Sequence, residues 1–278
     1  MKKINRRSFL AAAGLTAAAL ALTACGGSAS STASSTASSA ASSEAASTSA
    51  AAELTTVEAG KLTMATNAAF PPYEMTTDAG EFEGIDIDTA KAIAEKLGLE
   101  LQIDDMDFDA ALLSVQQGKA DIVMAGVTVT DERKAVMDFS DSYATGIQSI
   151  IVPEGSDITS PDDLADKKIG TQRGTTGYIY CSDDFGDDAV VAYDDGLTAV
   201  QALNNGQVDA VVIDNAPAKE FVAANPGLVI LDTSYAEEDY AIGLAKGSAL
   251  EDAVNAALEE LKADGTLQSI VDKYITAE

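Results

Sequence analysis

Short apolar runs alternate with stretches of helical periodicity along most of the chain from Lys61 onward. Residues 61–66 predict a strand, and residues 86–97 predict a helix whose apolar positions recur at three- and four-residue spacing before Gly98. The elements predicted next are a strand at 99–103, a helix at 109–117 and a strand at 120–125. Strand–helix–strand alternation predicts an α/β fold with helices on both faces of a sheet.

One helix–strand unit occurs twice in the sequence. Residues 111–126 and 199–214 align without a gap, and in both a helix closes on glycine before an aspartate starts an apolar strand. The identical pairs are Ala111 and Ala199, Gly118 and Gly206, Asp121 and Asp209, and Val123 and Val211. The repeat predicts two lobes of similar build, and chance similarity between helix–strand units is the alternative.

Two further apolar segments, 149–152 and 239–245, predict strands that join the lobes. If both cross between the lobes, the first lobe is discontinuous and the second is continuous. The predicted limits are 59–150 plus 242–278 for the first lobe, 153–238 for the second lobe, and 150–153 and 238–242 for the hinge strands.

Residues 1–25 predict an export signal. Basic residues precede the apolar stretch 9–22, whose 14 residues are too few to span a bilayer. The following Leu22-Thr23-Ala24-Cys25 is similar to a bacterial lipobox, whose cysteine becomes the lipidated N-terminus; an ordinary signal with a chance cysteine is the alternative. The pair Arg6-Arg7 leaves general and twin-arginine export both open.

Residues 26–58 predict a flexible tether, since 28–52 contain only Ser, Ala and Thr apart from Glu44 and cannot bury a core. A diacylglyceryl group on Cys25 would supply two acyl chains, which anchor a protein durably. The expected location is therefore the outer face of the bacterial cell membrane.

Charge and residue usage exclude several classes of function. Without the signal the chain has 13 basic against 45 acidic residues, a net charge of −32, which argues against nucleic acid and anionic headgroups as partners. Cys181 is the only cysteine besides Cys25, so no internal disulfide can form. Histidine is absent, which removes histidine-dependent catalysis and the commonest metal ligand. We expect no metal and no cofactor.

The candidate binding residues of the first lobe follow its repeated strand. In α/β sheets, ligands bind outside the carboxyl ends of the strands. Gly126 and Thr128 offer backbone donors there, and a short helix brings in Arg133, whose planar fork suits a carboxylate. The alternative is that Arg133 pairs with Asp131 or Glu132 on the surface.

The second lobe offers an anion site and an acid. The turn Gly174-Thr175-Thr176-Gly177 follows a predicted strand, and its free N–H groups suit an anion. Asp214 ends an apolar strand and needs a partner, either a ligand ammonium or the helix that starts at Asn215. Phe70 and Phe108 follow strands and predict apolar cleft walls, with core packing as the alternative. Opposite charges on facing walls favour a zwitterion such as an α-amino acid.

The chain resembles the polar amino-acid-binding proteins of bacterial ABC importers, the group that includes the glutamine- and histidine-binding proteins. The resemblance covers about residues 60–278. The segments that carry it are 65–74 (ATNAAFPPYE), 82–98 (FEGIDIDTAKAIAEKLG), 107–143, 170–177 (GTQRGTTG), 208–215 (VDAVVIDN) and 239–248 (DYAIGLAKGS). It implies a periplasmic-binding-protein-like type II fold, with two α/β lobes that are joined by two crossing strands and close on the ligand.

The resemblance also implies residue roles. The α-carboxylate would be held by Arg133, Thr128 and the backbone around Thr176. The α-ammonium would be held by Asp214 and the Gly126 carbonyl. The ligand would be flanked by Phe70 and Phe108, with Asn67 and Gln172 facing its side chain.

Two residues bear on the ligand. Cation-binding members of this family often have a carboxylate where this chain has Asn67, which favours a neutral polar ligand such as glutamine or cystine. Arg173 leaves an acidic ligand possible. We expect a monomer that delivers its ligand to a membrane permease. A sensor subunit, or a cyclohexadienyl-type dehydratase on the same fold, is the alternative.

Overall fold

The computed structural model describes residues 54–275. The predicted export signal, Cys25 and the predicted tether up to residue 53 lie outside the described residues. Within 54–275 the chain forms fourteen strands and eight α-helices. The strands are β1 Lys61–Thr66, β2 Ala69–Phe70, β3 Glu74–Thr76, β4 Phe82–Glu83, β5 Glu100–Asp105, β6 Ile122–Val123, β7 Met137–Phe139, β8 Ala144–Pro153, β9 Ile169–Gln172, β10 Val190–Tyr193, β11 Ala210–Asp214, β12 Leu228–Ile230, β13 Ala236–Tyr240 and β14 Gly243–Ala245. The helices are α1 Ile85–Leu97, α2 Phe108–Gln116, α3 Asp131–Val136, α4 Thr176–Phe185, α5 Gly196–Asn204, α6 Asn215–Ala224, α7 Glu251–Ala263 and α8 Thr266–Tyr274.

Helix α1 forms where the apolar spacing predicts it. Ile87, Ala90, Ile93 and Ala94 share its buried face. The helix ends at Gly98, whose φ of 69° is left-handed and therefore suits a residue without a Cβ. The apolar spacing and the glycine that ends the helix therefore both predict α1 correctly.

The first lobe is built on a five-stranded sheet in the order β5-β1-β6-β14-β7. Strand β1 runs parallel to β5 and β6, whereas β14 runs antiparallel to β6 and β7. One apolar core lies under α1, α7 and α8, and a second lies under α2. A separate three-stranded ribbon, β2-β3-β4, belongs to the same lobe.

The second lobe has a sheet of similar plan in the order β10-β9-β11-β8-β12, with β13 also paired to β8. Strand β9 runs parallel to β10 and β11, and β8 runs antiparallel to its neighbours. Helices α5 and α6 cover one core and α4 covers the other. Two lobes with helices on both faces of each sheet confirm the predicted fold class.

The sequence repeat marks the same unit in each lobe. Asp121, just before β6, accepts a hydrogen bond from the Thr63 N–H of the neighbouring β1 at 2.8 Å. Asp209, just before β11, accepts one from the Lys168 N–H beside β9, also at 2.8 Å. Each aspartate therefore ties the start of its strand to the adjacent parallel strand.

The chain passes between the sheets at 140–143 and again at 241–242. The first passage lies before the predicted hinge strand 150–153, because β8 is paired within the second sheet along its whole length. The segment 239–245, predicted as one strand, is two, because β13 pairs in the second sheet and β14 in the first. The change of sheet interrupts the strand.

The two passages are hydrogen-bonded to each other. The Ser140 N–H donates to the Ile242 carbonyl, and the Ile242 N–H donates to the Ser140 hydroxyl, both at 2.9 Å. The Tyr143 N–H donates to the Tyr240 carbonyl at 2.9 Å. The lobes are thus joined by a paired, two-stranded connection.

The folded body starts before the predicted limit at residue 59. Leu54 packs against the first core, and the Val57 N–H donates to Asp121 at 2.8 Å. No helix within 54–275 is long and apolar enough to cross a membrane.

Candidate functional site

A cavity lies between the lobes, and many of its lining residues lie at or just beyond the carboxyl ends of β1, β6, β9 and β11. The ten residues predicted to bind ligand all line it: Asn67, Phe70, Phe108, Gly126, Thr128, Arg133, Gln172, Thr175, Thr176 and Asp214. The remaining lining residues are Glu74, Ala125, Gln148, Val212, Ile213 and Tyr240. The strand-end rule therefore locates the site in both lobes.

Arg133 is buried in this cavity, with 8% of its surface exposed. Thr130 caps the short helix α3 by accepting from the Arg133 N–H, which directs the helix toward the cavity. The guanidinium donates to the Thr128 carbonyl at 2.8 Å and to the Gly174 carbonyl of the other lobe at 3.1 Å, and it lies over the Phe108 ring. The alternative of a surface pair with its acidic neighbours is wrong. Two of its five N–H groups are used, which leaves donors for a ligand.

The N-terminus of α4 faces the same space. Thr175 caps the helix by accepting from the Tyr178 N–H at 3.3 Å. The Thr176 side chain is buried, and its hydroxyl lies 3.4 Å from that of Thr128 in the first lobe. The first N–H groups of a helix have no partner within it, so this end suits an anion.

Asp214 is both a helix cap and a cavity residue. Its carboxylate accepts from the Ala216 N–H at 2.9 Å and from the Ile147 N–H at 2.8 Å. The side chain is 2% exposed, and burial raises its pKa to about 6 against the opposing effect of these bonds. The helix-cap alternative is confirmed, and the capped carboxylate also faces the cavity.

Gly126 contributes less than the sequence predicts. Its N–H is not free for a ligand, because it donates to the buried Asp86 at 3.0 Å. Its φ of 53° is left-handed, and a Cβ would lie 3.0 Å from the Phe70 ring and 3.2 Å from the Tyr240 ring. The position therefore favours glycine and leaves only the carbonyl as a potential ligand contact.

The predicted aromatic walls serve two purposes. Phe108 belongs to a core of the first lobe and also lines the cavity beneath Arg133. Phe70 is stacked on Tyr73, with ring centroids 5.9 Å apart, and packs against cores of both lobes. Core packing and cavity lining coexist at both positions.

Asn67 and Gln172 meet across the lobes. The Gln172 amide donates to the Asn67 carbonyl oxygen at 2.8 Å, and the Asn67 amide donates to the Met106 carbonyl at 2.9 Å. Arg173 instead lies at the surface, where it pairs with Asp194 at 3.7 Å, and it is not among the residues that line the cavity.

Sequence reasoning missed an acid that bridges the lobes. Glu238 on β13 accepts from the Thr128 hydroxyl at 3.1 Å and from the Gln148 amide at 3.0 Å. Its partners are 110 and 90 residues away, so no local pattern could reveal the cluster.

Glu74 is a second missed acid. It lines the cavity although only 1% of its surface is exposed. Burial, followed by the nearby Asp86 carboxylate, raises its pKa well above the ordinary value. An acid inside the short apolar run Pro72-Tyr73-Glu74-Met75 is the signal that could have found it. Across 54–275, no group of acids, cysteines or histidines has the arrangement of a metal site.

A cavity between the strand ends of two α/β lobes, with a paired hinge on one side, defines a two-lobed binding protein of the periplasmic type II class. The chain belongs to the bacterial extracellular solute-binding proteins, family 3, which matches residues 62–277. The resemblance noted from the sequence is therefore confirmed.

Its relatives are amino-acid-binding proteins. The chain is 32% identical to a probable histidine-binding protein of Neisseria gonorrhoeae, with 99% of this chain and 98% of that one covered. The arginine-, lysine-, histidine-binding protein ArtJ of Geobacillus stearothermophilus is 34% identical, with a TM-score of 0.75 over 78% of this chain and 96% of that one. An ancestral arginine-binding protein bound to glutamine is 42% identical, with a TM-score of 0.75, and the match covers 78% of this chain and 99% of that one.

Proposed function

We propose that this protein is the extracytoplasmic substrate-binding component of an amino-acid ABC importer, which binds an L-amino acid between its lobes and delivers it to the permease. The observation that carries the proposal is that Arg133 and Asp214, opposite charges from different lobes, are both buried in one cavity. Buried charges need partners, and an α-amino acid offers one to each.

Arg133 and Asp214 would each bind a different charged group of the ligand. Arg133, the Thr128 hydroxyl and the N-terminus of α4 around Thr176 suit the α-carboxylate, because all three present donors or a positive field. Asp214 and the Gly126 carbonyl suit the α-ammonium as acceptors. Phe70 and Phe108 flank the space between them.

For the ligand side chain we propose a neutral polar group. The amides of Asn67 and Gln172 can each donate and accept, which suits glutamine or cystine. The ion pair of Arg173 with Asp194 at the surface removes the argument for an acidic ligand.

Binding would favour a closed arrangement of the lobes. Arg133 already reaches the Gly174 carbonyl across the cleft, and Gln172 reaches Asn67. A ligand that contacts both walls adds bonds that exist only when the lobes are closed, and so shifts the population toward that form. The passages 140–143 and 241–242 are the proposed hinge.

The cavity supports binding without turnover. Asp214 is held by two backbone hydrogen bonds, and the chain has no histidine to serve as an acid–base catalyst. We further propose that a lipid on Cys25 holds the protein at the outer membrane face and that the protein acts as a monomer.

A thermal-shift screen of the twenty amino acids and cystine tests the proposal. A true ligand at a hundred times its dissociation constant adds about 2.7 kcal/mol to the free energy of unfolding. Arg133→Ala and Asp214→Ala should each weaken binding by about 100-fold or more, since each removes charged hydrogen bonds of about 1.5–3 kcal/mol. Lys134→Ala, an exposed cation beside Arg133, is the control and should bind like the parent. If both cavity variants respond like the parent, the residue roles are wrong.

A further inference from the structure

Two buried carboxyl groups face each other beneath the cavity. Glu74 and Asp86 are 1% and 0% exposed, and the Asp86 N–H donates to the carbonyl of Tyr73, the residue before Glu74, at 2.8 Å. The Asp86 carboxyl group is near enough to raise the pKa of Glu74. Both Glu74 oxygens and one Asp86 oxygen find no donor among the described groups. The ion pairs formed within 54–275 involve neither residue.

The surroundings of the pair are acidic or neutral. The second Asp86 oxygen accepts from the Gly126 N–H at 3.0 Å. The titratable groups that act most strongly on the pair are acidic or phenolic: Tyr73 beside Glu74 itself, Asp105 at the end of β5, Asp214 at the end of β11, and Tyr143 in front of β8, whose hydroxyl lies beside Asp86. Arg133, the cation among the described lining residues, is bonded to the Thr128 and Gly174 carbonyls.

Two adjacent buried carboxyl groups without a counterion cannot both be ionised. One shared proton supplies a hydrogen bond between a Glu74 oxygen and the Asp86 oxygen that has no donor. Burial raises the pKa of Asp86 to about 6 and that of Glu74 well above its usual range, in agreement with a retained proton. Because Asp86 is bonded to Gly126 and Glu74 lines the cavity, Glu74 is the member that can meet a ligand.

We propose that the Glu74–Asp86 pair sets the charge of the side chain that the site accepts, by keeping one proton beside a neutral side chain and releasing it to solvent when a cationic side chain enters. In the first state the pair carries one negative charge. In the second state both groups are ionised and an ammonium or guanidinium replaces the proton, so the local net charge is unchanged. The inference rests on the proposed amino-acid site and extends it to cationic ligands.

The test compares L-arginine with L-glutamine on the whole protein by titration calorimetry between about pH 5 and 8. As the pH is raised, the affinity for arginine divided by that for glutamine should increase by about tenfold per pH unit while the pair still holds its proton. At higher pH this ratio should become constant. Contacts to the shared α-groups affect both ligands alike and cancel in this ratio. In buffers of different ionisation enthalpy, arginine should release about one proton more than glutamine.

Glu74→Gln should lower the affinity for arginine relative to glutamine by about tenfold or more and make the ratio independent of pH. Asp86→Asn removes the negative charge beside Glu74, so the arginine-to-glutamine affinity ratio should begin to increase at a lower pH than in the parent. A residue with a purely structural role would not produce this change. Glu81→Gln removes an exposed charge, and its arginine-to-glutamine affinity ratio should depend on pH as that of the parent does. Melting temperatures without ligand verify that each variant folds.

The outcomes separate the two proposals. If glutamine binds but the ratio is flat across the pH range, or Glu74→Gln discriminates as the parent does, the proton-sharing pair is refuted while the amino-acid site stands. If neither amino acid binds the parent at any pH but another amino acid of the thermal-shift screen does, the proton-sharing pair is refuted while the amino-acid site stands. If no amino acid or cystine binds, both proposals fail.

Discussion

Asp214 shows how one side chain joins fold and function. Its two oxygens accept from the Ala216 and Ile147 N–H groups, and the Tyr240 hydroxyl lies beside it. These bonds hold the carboxylate in place before any ligand arrives, so an entering ammonium need not order it.

The pKa of Asp214, raised to about 6 by burial, gives a pH-dependent prediction. Below that pH Asp214 holds a proton, and the proton must leave before an ammonium can pair with the carboxylate. The affinity for L-glutamine should therefore be steady at neutral pH and fall by about tenfold per pH unit below about 6, as calorimetry can measure.

Two variants control this prediction. Asp214→Asn should bind weakly at every pH, with no such fall. Asp195→Asn alters another aspartate that caps a helix, α5, but does not line the cavity, and it should keep the slope of the parent. An equal slope in Asp214→Asn would assign the titration to another group.

At the scale of the element, the turn before α4 brings the lobes into contact. Gly174 has a φ of 74°, and its carbonyl accepts from Arg133. A Cβ at this position would collide with the Asp109 carboxylate on α2 of the first lobe. A side chain at position 174 would have to displace the exposed Asp109 carboxylate, so glycine allows this turn and α2 to lie as close as they do.

Gly174→Ala should weaken ligand binding by about tenfold or more, the effect of about 1.4 kcal/mol of strain in the closed form. Gly118→Ala is the matched control, since its φ of 66° is also left-handed but a Cβ there meets nothing within 4 Å. Both variants should lose about 1 kcal/mol of folding stability, and only Gly174→Ala should lose affinity in calorimetry. Equal affinities would show that the contact with Asp109 does not limit closure.

At the scale of the whole molecule, the proposed anchor and the proposed binding site lie in separate parts of the chain. Every residue that lines the cavity lies between Asn67 and Tyr240, whereas the proposed lipid site is Cys25. The two lobes are joined by short passages that are bonded to each other, and these passages are the proposed hinge.

Cys25→Ala should release the protein from cell membranes, because the two acyl chains that provide durable anchoring are lost. Its ligand-induced thermal shift should equal that of the parent. Cys181→Ala, the control, changes a cysteine buried in the second lobe and should remain with the membrane fraction. Retention of Cys25→Ala in that fraction would refute the lipid anchor.

The sequence by itself determined the parts of this protein that depend on neighbouring residues. Apolar periodicity and a terminating glycine define α1, and the repeated helix–strand unit predicts two lobes, because such signals act within a few turns of chain. The strand-end rule and the family resemblance brought together residues as distant as Asn67 and Asp214, since they depend on strand direction and motif order.

Tertiary structure alone decided what depends on pairing between distant segments. Which sheet contains β8 and β13 sets the hinge, and strand pairing is not encoded in apolar pattern. The Glu74–Asp86 pair and the Glu238 bridge arise where separate segments meet. Burial raises the pKa of both Glu74 and Asp86, and burial is a property of the packed interior that no short stretch of sequence specifies.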